Sequence, residues 1–175
     1  MDHSDALELG THAVVLDGVL QCYHVAGTGP VCIIHPGGPG IEWESMKMPA
    51  LEAHLTTVYV EPIGTGESGR LTDHPNGYTI DRYSHCVHGL IEHLGLPKVH
   101  FLGHSHGGFV AQRYALEHPE RLASLILYDS APAAGAELFA EATRNIEEFA
   151  LRRPDQPGGA KRLTGMENAR QRVRR

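Results

Sequence analysis

One hexapeptide, Gly103-His104-Ser105-His106-Gly107-Gly108, restricts the fold of this 175-residue chain more than any other stretch. It fits G-x-S-x-G, follows the apolar run 99–103 (VHFLG) and precedes a segment of helical spacing over about 106–118. Glycines on both sides allow a strand and a helix to meet in a turn too tight for side chains. The serine between them is pushed to the top of a sheet with strained backbone angles. The backbone N–H of the next residue, His106, then points into the same space at a helix N-terminus, where it can stabilise an oxyanion. Ser105 is the candidate nucleophile and the His106 N–H the candidate oxyanion donor.

Such a turn needs a sheet beneath it, and the sequence supplies one. The runs 31–35 (VCIIH), 57–61 (TVYVE), 99–103 and 124–128 (SLILY) are apolar and bounded by turn residues, as strands covered on both faces are. Segments 11–17 and 19–25 meet at Asp17-Gly18, a hairpin signal. Ile80, Tyr83, Val87, Leu90, Ile91 and Leu94 recur at helical spacing, with Thr79 as N-cap and Gly95 as the stop. Ala111 and Ala115 let the helix after Ser105 lie close to a sheet. Over 137–150, Leu138, Ala142, Ile146 and Phe149 share a helical face. This order predicts an α/β fold with a mostly parallel sheet, in which 99–103 is central between 31–35 and 124–128. With no later strand, 124–128 is an apolar edge without Lys or Pro, expected to self-associate or to be covered by the tail.

Three further patterns bear on chemistry. His35-Pro36-Gly37-Gly38-Pro39-Gly40 follows a strand, and its backbone can approach a ligand closely. It is the expected source of the second oxyanion N–H, with Gly38 the first choice and Gly37 the second. Gly64-Thr65-Gly66-Glu67-Ser68-Gly69 is a literal G-x-G-x-x-G, but the turn residues Asp73, Pro75, Asn76 and Gly77 follow where a dinucleotide site needs a helix. Thirteen histidines invite a metal. His104 and His106 are better explained by the serine turn, however, and His85, His88 and His93 fall off the apolar stripe and are expected at the surface. The reading therefore carries no cofactor and no metal.

Charge narrows the partners. Residues 1–151 carry a formal −12 and residues 152–175 a formal +6. An acidic body argues against nucleic acid, and the basic tail reads as a solvated terminus. No apolar run is long enough to span a bilayer, and the acidic N-terminus lacks a signal core. Cys22, Cys32 and Cys86 form no CxxC and suit reduced thiols, hence a cytoplasmic protein.

At the serine turn and the PGGPG loop the sequence resembles the α/β-hydrolase fold family over about residues 10–150. It is most similar to the proline iminopeptidase-like branch, whose HGGPG appears here as HPGGPG, with His35 one place early. The family's D-x-x-G-x-G-x-S runs from Glu61 to Ser68, with Glu in place of Asp. A serine at position 105 separates the chain from the haloalkane dehalogenases and epoxide hydrolases of the fold, which use Asp there. The resemblance implies a serine hydrolase acting on amides of short peptides, releasing N-terminal proline. Ester or lactone hydrolysis is the alternative, and a non-catalytic remnant or binding module a third.

The fold's chain order is serine, acid, histidine. Asp129, after SLILY, is the candidate acid, yet the only histidine beyond the serine turn is His118, at the far end of a helix. No base is assigned, since side chains on a strained turn diverge and place neither His104 nor His106 well. The chain is therefore expected to be the first six strands of a hydrolase domain (1–151, with 134–151 beginning a cap), the cap and last strands missing. Residues 152–175 form a basic tail, and the composition shift at Gly158 marks where the resemblance is expected to stop. Such a chain should turn over its small-molecule or short-peptide substrate poorly by itself.

Overall fold

The computed structural model describes residues 5–38, 40–133 and 135–153. Six strands form one sheet: β1 (Gly10–Leu16), β2 (Val19–Ala26), β3 (Val31–His35), β4 (Thr56–Glu61), β5 (Val99–His104) and β6 (Leu122–Tyr128), ordered β1-β2-β4-β3-β5-β6. β1 and β2 form the antiparallel hairpin, turning at Asp17 (φ 48°) and Gly18 (φ 77°), the two positive φ values of a type I′ turn. β2 joins β4 antiparallel, and β4, β3, β5 and β6 run parallel. As expected, β5 lies between β3 and β6, but it is the penultimate strand of the six rather than a central one, and Ser105 follows its C-terminal end.

β2, β3, β4 and β5 bury both faces by period-two alternation. Leu125, Ile126, Leu127 and Tyr128 of β6, expected to be covered, are instead exposed, because β6 is the outermost described strand. Ile33, Val58, Val60 and Phe101 enter one core with Tyr83, Val87, Leu90 and Ile91 of helix α2 (Ile80–His93) and Val110, Ala111 and Tyr114 of α3 (His106–Glu117). Cys32, Ile34, Tyr59 and Leu102 face the other way, onto Met46, Trp43 and Leu51. Leu51 comes from one short turn of helix (Pro49–Glu52) that the sequence pattern missed because it is too short to show a period. Thr79 caps α2 by accepting the Arg82 N–H at 3.1 Å, and Gly95 follows its end at φ 65°.

Two departures from expectation concern histidines. His85 is exposed and pairs with Asp17, but His88 and His93 are half-buried. The His88 ring stacks on His118 at 4.0 Å and lies 6.0 Å from Tyr114, because α2 and α3 pack side by side and need flat partners between them. His93 lies edge-on to Tyr23.

The chain divides into two compact units, Met1–Pro132 and Ala133–Arg175. In the second, residues Ala136–Arg152 form a 17-residue helix, with Arg152 paired to Glu148 one turn earlier. The expectation for the basic tail lies outside the described residues beyond Arg153. No described helix is long and apolar enough to cross a membrane.

Candidate active site

Ser105 sits between β5 and α3 with φ 50° and ψ −113°. It is one of three described non-glycine residues at positive φ, with Asp17 and Asp129. Its neighbours explain how a serine comes to hold these angles. A Cβ on Gly103 would strike the Gly107 carbonyl, and a Cβ on Gly107 the His35 and Pro36 carbonyls. Gly108 is closed to a side chain by Ser130. The turn is then pinned from outside: the Ser105 N–H donates to Tyr128 O at 3.0 Å, and the Ser130 hydroxyl donates to Ser105 O at 2.9 Å.

The loop after β3 comes to the same place. A Cβ on Gly37 would stand 3.1 Å from Ser105 Cβ and 2.8 Å from His104 Nδ1, so only glycine lets the loop rest there. Gly38 follows at φ 57°. The structure thus brings Gly37 onto the Ser105–His106 turn from a separate segment, while the space at Gly38, the next residue, is bounded by Ile41.

His35, at the end of β3 next to the loop, is buried at 1% exposure. Its Nδ1–H donates to Pro36 O at 3.0 Å, and burial pulls its pKa down to about 4. Burial lowers His106 in the same direction. The ring of Tyr83 lies edge-on to both, 5.8 Å from His35 and 5.3 Å from His106, and burial pushes its hydroxyl up to about 12. Tyr83 also borders a cavity of about 440 Å³ with Gly40, Ile63, Gly64, Thr65, His74, Pro75 and Tyr78. None of these side chains is a carboxylate, lysine or arginine.

Asp129 stands just beyond β6, exposed, with no histidine after it in the sequence. An earlier one faces it, with His104 Nε2 3.9 Å from Asp129 Oδ2. Because β5 and β6 are parallel neighbours in register, the residues at their ends meet. The sequence signal was present in two apolar runs that each end on a polar residue. His118 is far from this end of α3, stacked on His88.

The glycine-rich stretch after β4 serves the scaffold. Gly64 N–H donates to Gly69 O at 2.8 Å, Gly69 N–H to Leu20 O at 2.8 Å, and the Ser68 hydroxyl to Glu61 O at 2.6 Å. The Glu61 carboxylate takes the Glu67 N–H and faces His24 Nε2 at 3.0 Å. The stretch therefore closes on β2 and β4, and no helix starts within it. Among the described residues no three His, Cys, Asp or Glu side chains converge as metal ligands.

Comparison with known proteins agrees with the fold. Residues 30–166 match the family described as the alpha/beta hydrolase fold, a match that runs past the composition shift at Gly158. A proline iminopeptidase of Lactobacillus helveticus is 36% identical over 109 residues, covering 60% of this chain and 37% of that protein. A (lyso)-N-acylphosphatidylethanolamine lipase of Mus musculus is 34% identical over 102 residues, covering 57% of this chain and 30% of the lipase. Among solved structures, a membrane phospholipase A described as a bacterial virulence factor superposes with a TM-score of 0.67 at 26% identity, over 92% of this chain and 52% of that one. The chain thus spans well under half the length of either curated relative.

Proposed function

The chain belongs to the α/β-hydrolase fold family, and from that premise we propose that it carries the nucleophile and oxyanion hole of a serine hydrolase. Ser105 Oγ attacks the carbonyl carbon of an amide or ester and its proton passes to a base. The carbonyl oxygen, now an oxyanion, is held by the N–H groups of His106 and Gly38, with Gly37 the alternative to Gly38. Collapse of the tetrahedral species expels the amine or alcohol and leaves an acyl-serine for water to cleave. The observation that carries this reading is the strained serine with a glycine loop resting on its Cβ. Asp129 is the proposed acid.

Similarity to the proline iminopeptidase favours amides of short peptides with N-terminal proline. Similarity to the (lyso)-N-acylphosphatidylethanolamine lipase favours ester hydrolysis as the second reading. Among the described residues no imidazole hydrogen-bonds the Ser105 hydroxyl, so residues 1–175 should acylate slowly. Lacking the triad histidine costs about 10⁴–10⁶-fold in kcat. A fluorophosphonate probe tests the proposal. Labelling that disappears in Ser105→Ala supports it. No labelling, or labelling that survives the substitution, overturns it in favour of a binding module on a hydrolase fold. A burst from p-nitrophenyl esters without one from prolyl p-nitroanilide would select the ester reading.

A further inference from the structure

We infer that His104 is a positioning residue: its imidazole, with the hydrogen on Nε2 toward Asp129, is the wedge that holds the Gly37–Gly38 backbone in place against Ser105. The inference rests on the serine reading above, and three contacts carry it.

The first is the shared space at Gly37. His104 Nδ1 and Ser105 Cβ both lie about 3 Å from the point where a Gly37 side chain would begin, at 2.8 and 3.1 Å. The loop backbone therefore rests on the imidazole and on the serine together. The second is the tautomer. His104 Nδ1 is buried and has no hydrogen-bond partner, so a hydrogen there would be a stranded donor. A hydrogen on Nε2 instead faces the Asp129 carboxylate at 3.9 Å. The third is the other side of the ring, which lies 5.1 Å from the Tyr128 ring. Tyr128 is the residue whose carbonyl takes the Ser105 N–H. His104 thus spans from the loop after β3 to the end of β6, with the serine turn between them. Removing it takes away what the loop rests on, and a misplacement of about 1 Å in an oxyanion donor costs up to about 10²-fold in rate.

Two measurements test this. Long-range ¹H–¹⁵N spectra of ¹⁵N-histidine protein, with His104 assigned by its loss in His104→Gln, should show hydrogen on Nε2 and a bare Nδ1. In Asp129→Asn the second tautomer should appear. Separately, His104→Ala should slow fluorophosphonate labelling of Ser105 about tenfold and shift the Gly37 and Gly38 amide signals, with the thermal melt retained. Gly37→Ala, which crowds the same contact from the loop side, should slow labelling too, and it covers the case where His104→Ala does not fold. A hydrogen found on Nδ1 would overturn the inference, as would wild-type labelling with unmoved Gly37 and Gly38 amides in His104→Ala. If Ser105 of the wild type does not react, the serine reading falls. The tautomer and the amide shifts then decide the role of His104 without it.

Discussion

Ser105 donates its backbone N–H to the carbonyl of Tyr128 across 3.0 Å, which ties the turn after β5 to the last residue of β6. The serine carbonyl is held as well, by the Ser130 hydroxyl at 2.9 Å. Both hydrogen bonds lie on the side of the turn away from the Gly37 loop. The strained angles are thus maintained by the neighbouring strand as well as by the turn's own glycines, and backbone strain of this kind persists only where surroundings over-determine it.

Relieving that strain should stabilise the fold while removing the proposed chemistry. At φ 50° and ψ −113°, a serine costs about 1–3 kcal/mol that glycine avoids, less the extra entropy glycine adds to the unfolded chain. Ser105→Gly should therefore be about 1 kcal/mol more stable than Ser105→Ala by urea unfolding, with neither labelled by a fluorophosphonate. Equal stability of the two variants would refute the strain account.

Two glycine-to-alanine changes should move stability in opposite directions. In Gly107→Ala the new methyl meets the backbone carbonyls of His35 and Pro36, which cannot swing aside, so a loss of about 3 kcal/mol or more is expected. In Gly89→Ala, inside α2, the methyl meets Leu16 Cδ1 at an ordinary 3.4 Å and the helix gains propensity. A gain of about 0.5–1 kcal/mol is expected there. Denaturant midpoints of the two variants check both signs.

Acid should destabilise the fold through His35. Its imidazole is held near 4 by burial, against 6.5 as the ordinary value, so between these pH values only the unfolded chain binds the proton. The stabilisation is complete above about pH 6.5 and is lost as the pH falls toward 4, on the order of 3 kcal/mol in all. Burial also lowers His106, which adds in the same direction. Unfolding free energies at pH 7.5 and pH 5 should differ, and His35→Gln should reduce the difference. An undiminished difference in His35→Gln would assign the acid sensitivity elsewhere.

The outer edge of β6 should pair with a second copy of the chain. Among the described residues β6 is the outermost strand of the sheet, and Leu125, Ile126, Leu127 and Tyr128 are all more than a third exposed. A run of apolar residues on an unpaired edge is a template for another strand. Sedimentation of residues 1–175 should show a concentration-dependent dimer, abolished by Ile126→Lys. A monomer at high concentration would remove this proposal.

What the sequence determined by itself was local and periodic. The apolar runs 31–35, 57–61 and 99–103 specified strands covered on both faces, the Asp17-Gly18 pair specified the hairpin, and the helical spacing of Tyr83, Val87, Leu90 and Leu94 specified α2 and its buried face. The candidate serine was legible for the same reason, since its constraint is carried by glycines within two residues of it. Only tertiary structure decided what meets across strands. Gly37 reaches Ser105, and His104 reaches Asp129, because β3, β5 and β6 lie side by side in parallel register, which brings residues 25 to 68 positions apart to one sheet edge. Nor could helical spacing reveal that His88 would be stacked on His118, because the spacing records one helix's own face and not the partner packed against it. Local sequence encodes backbone preference and burial, while the pairing of distant side chains follows from strand order, which no single segment carries.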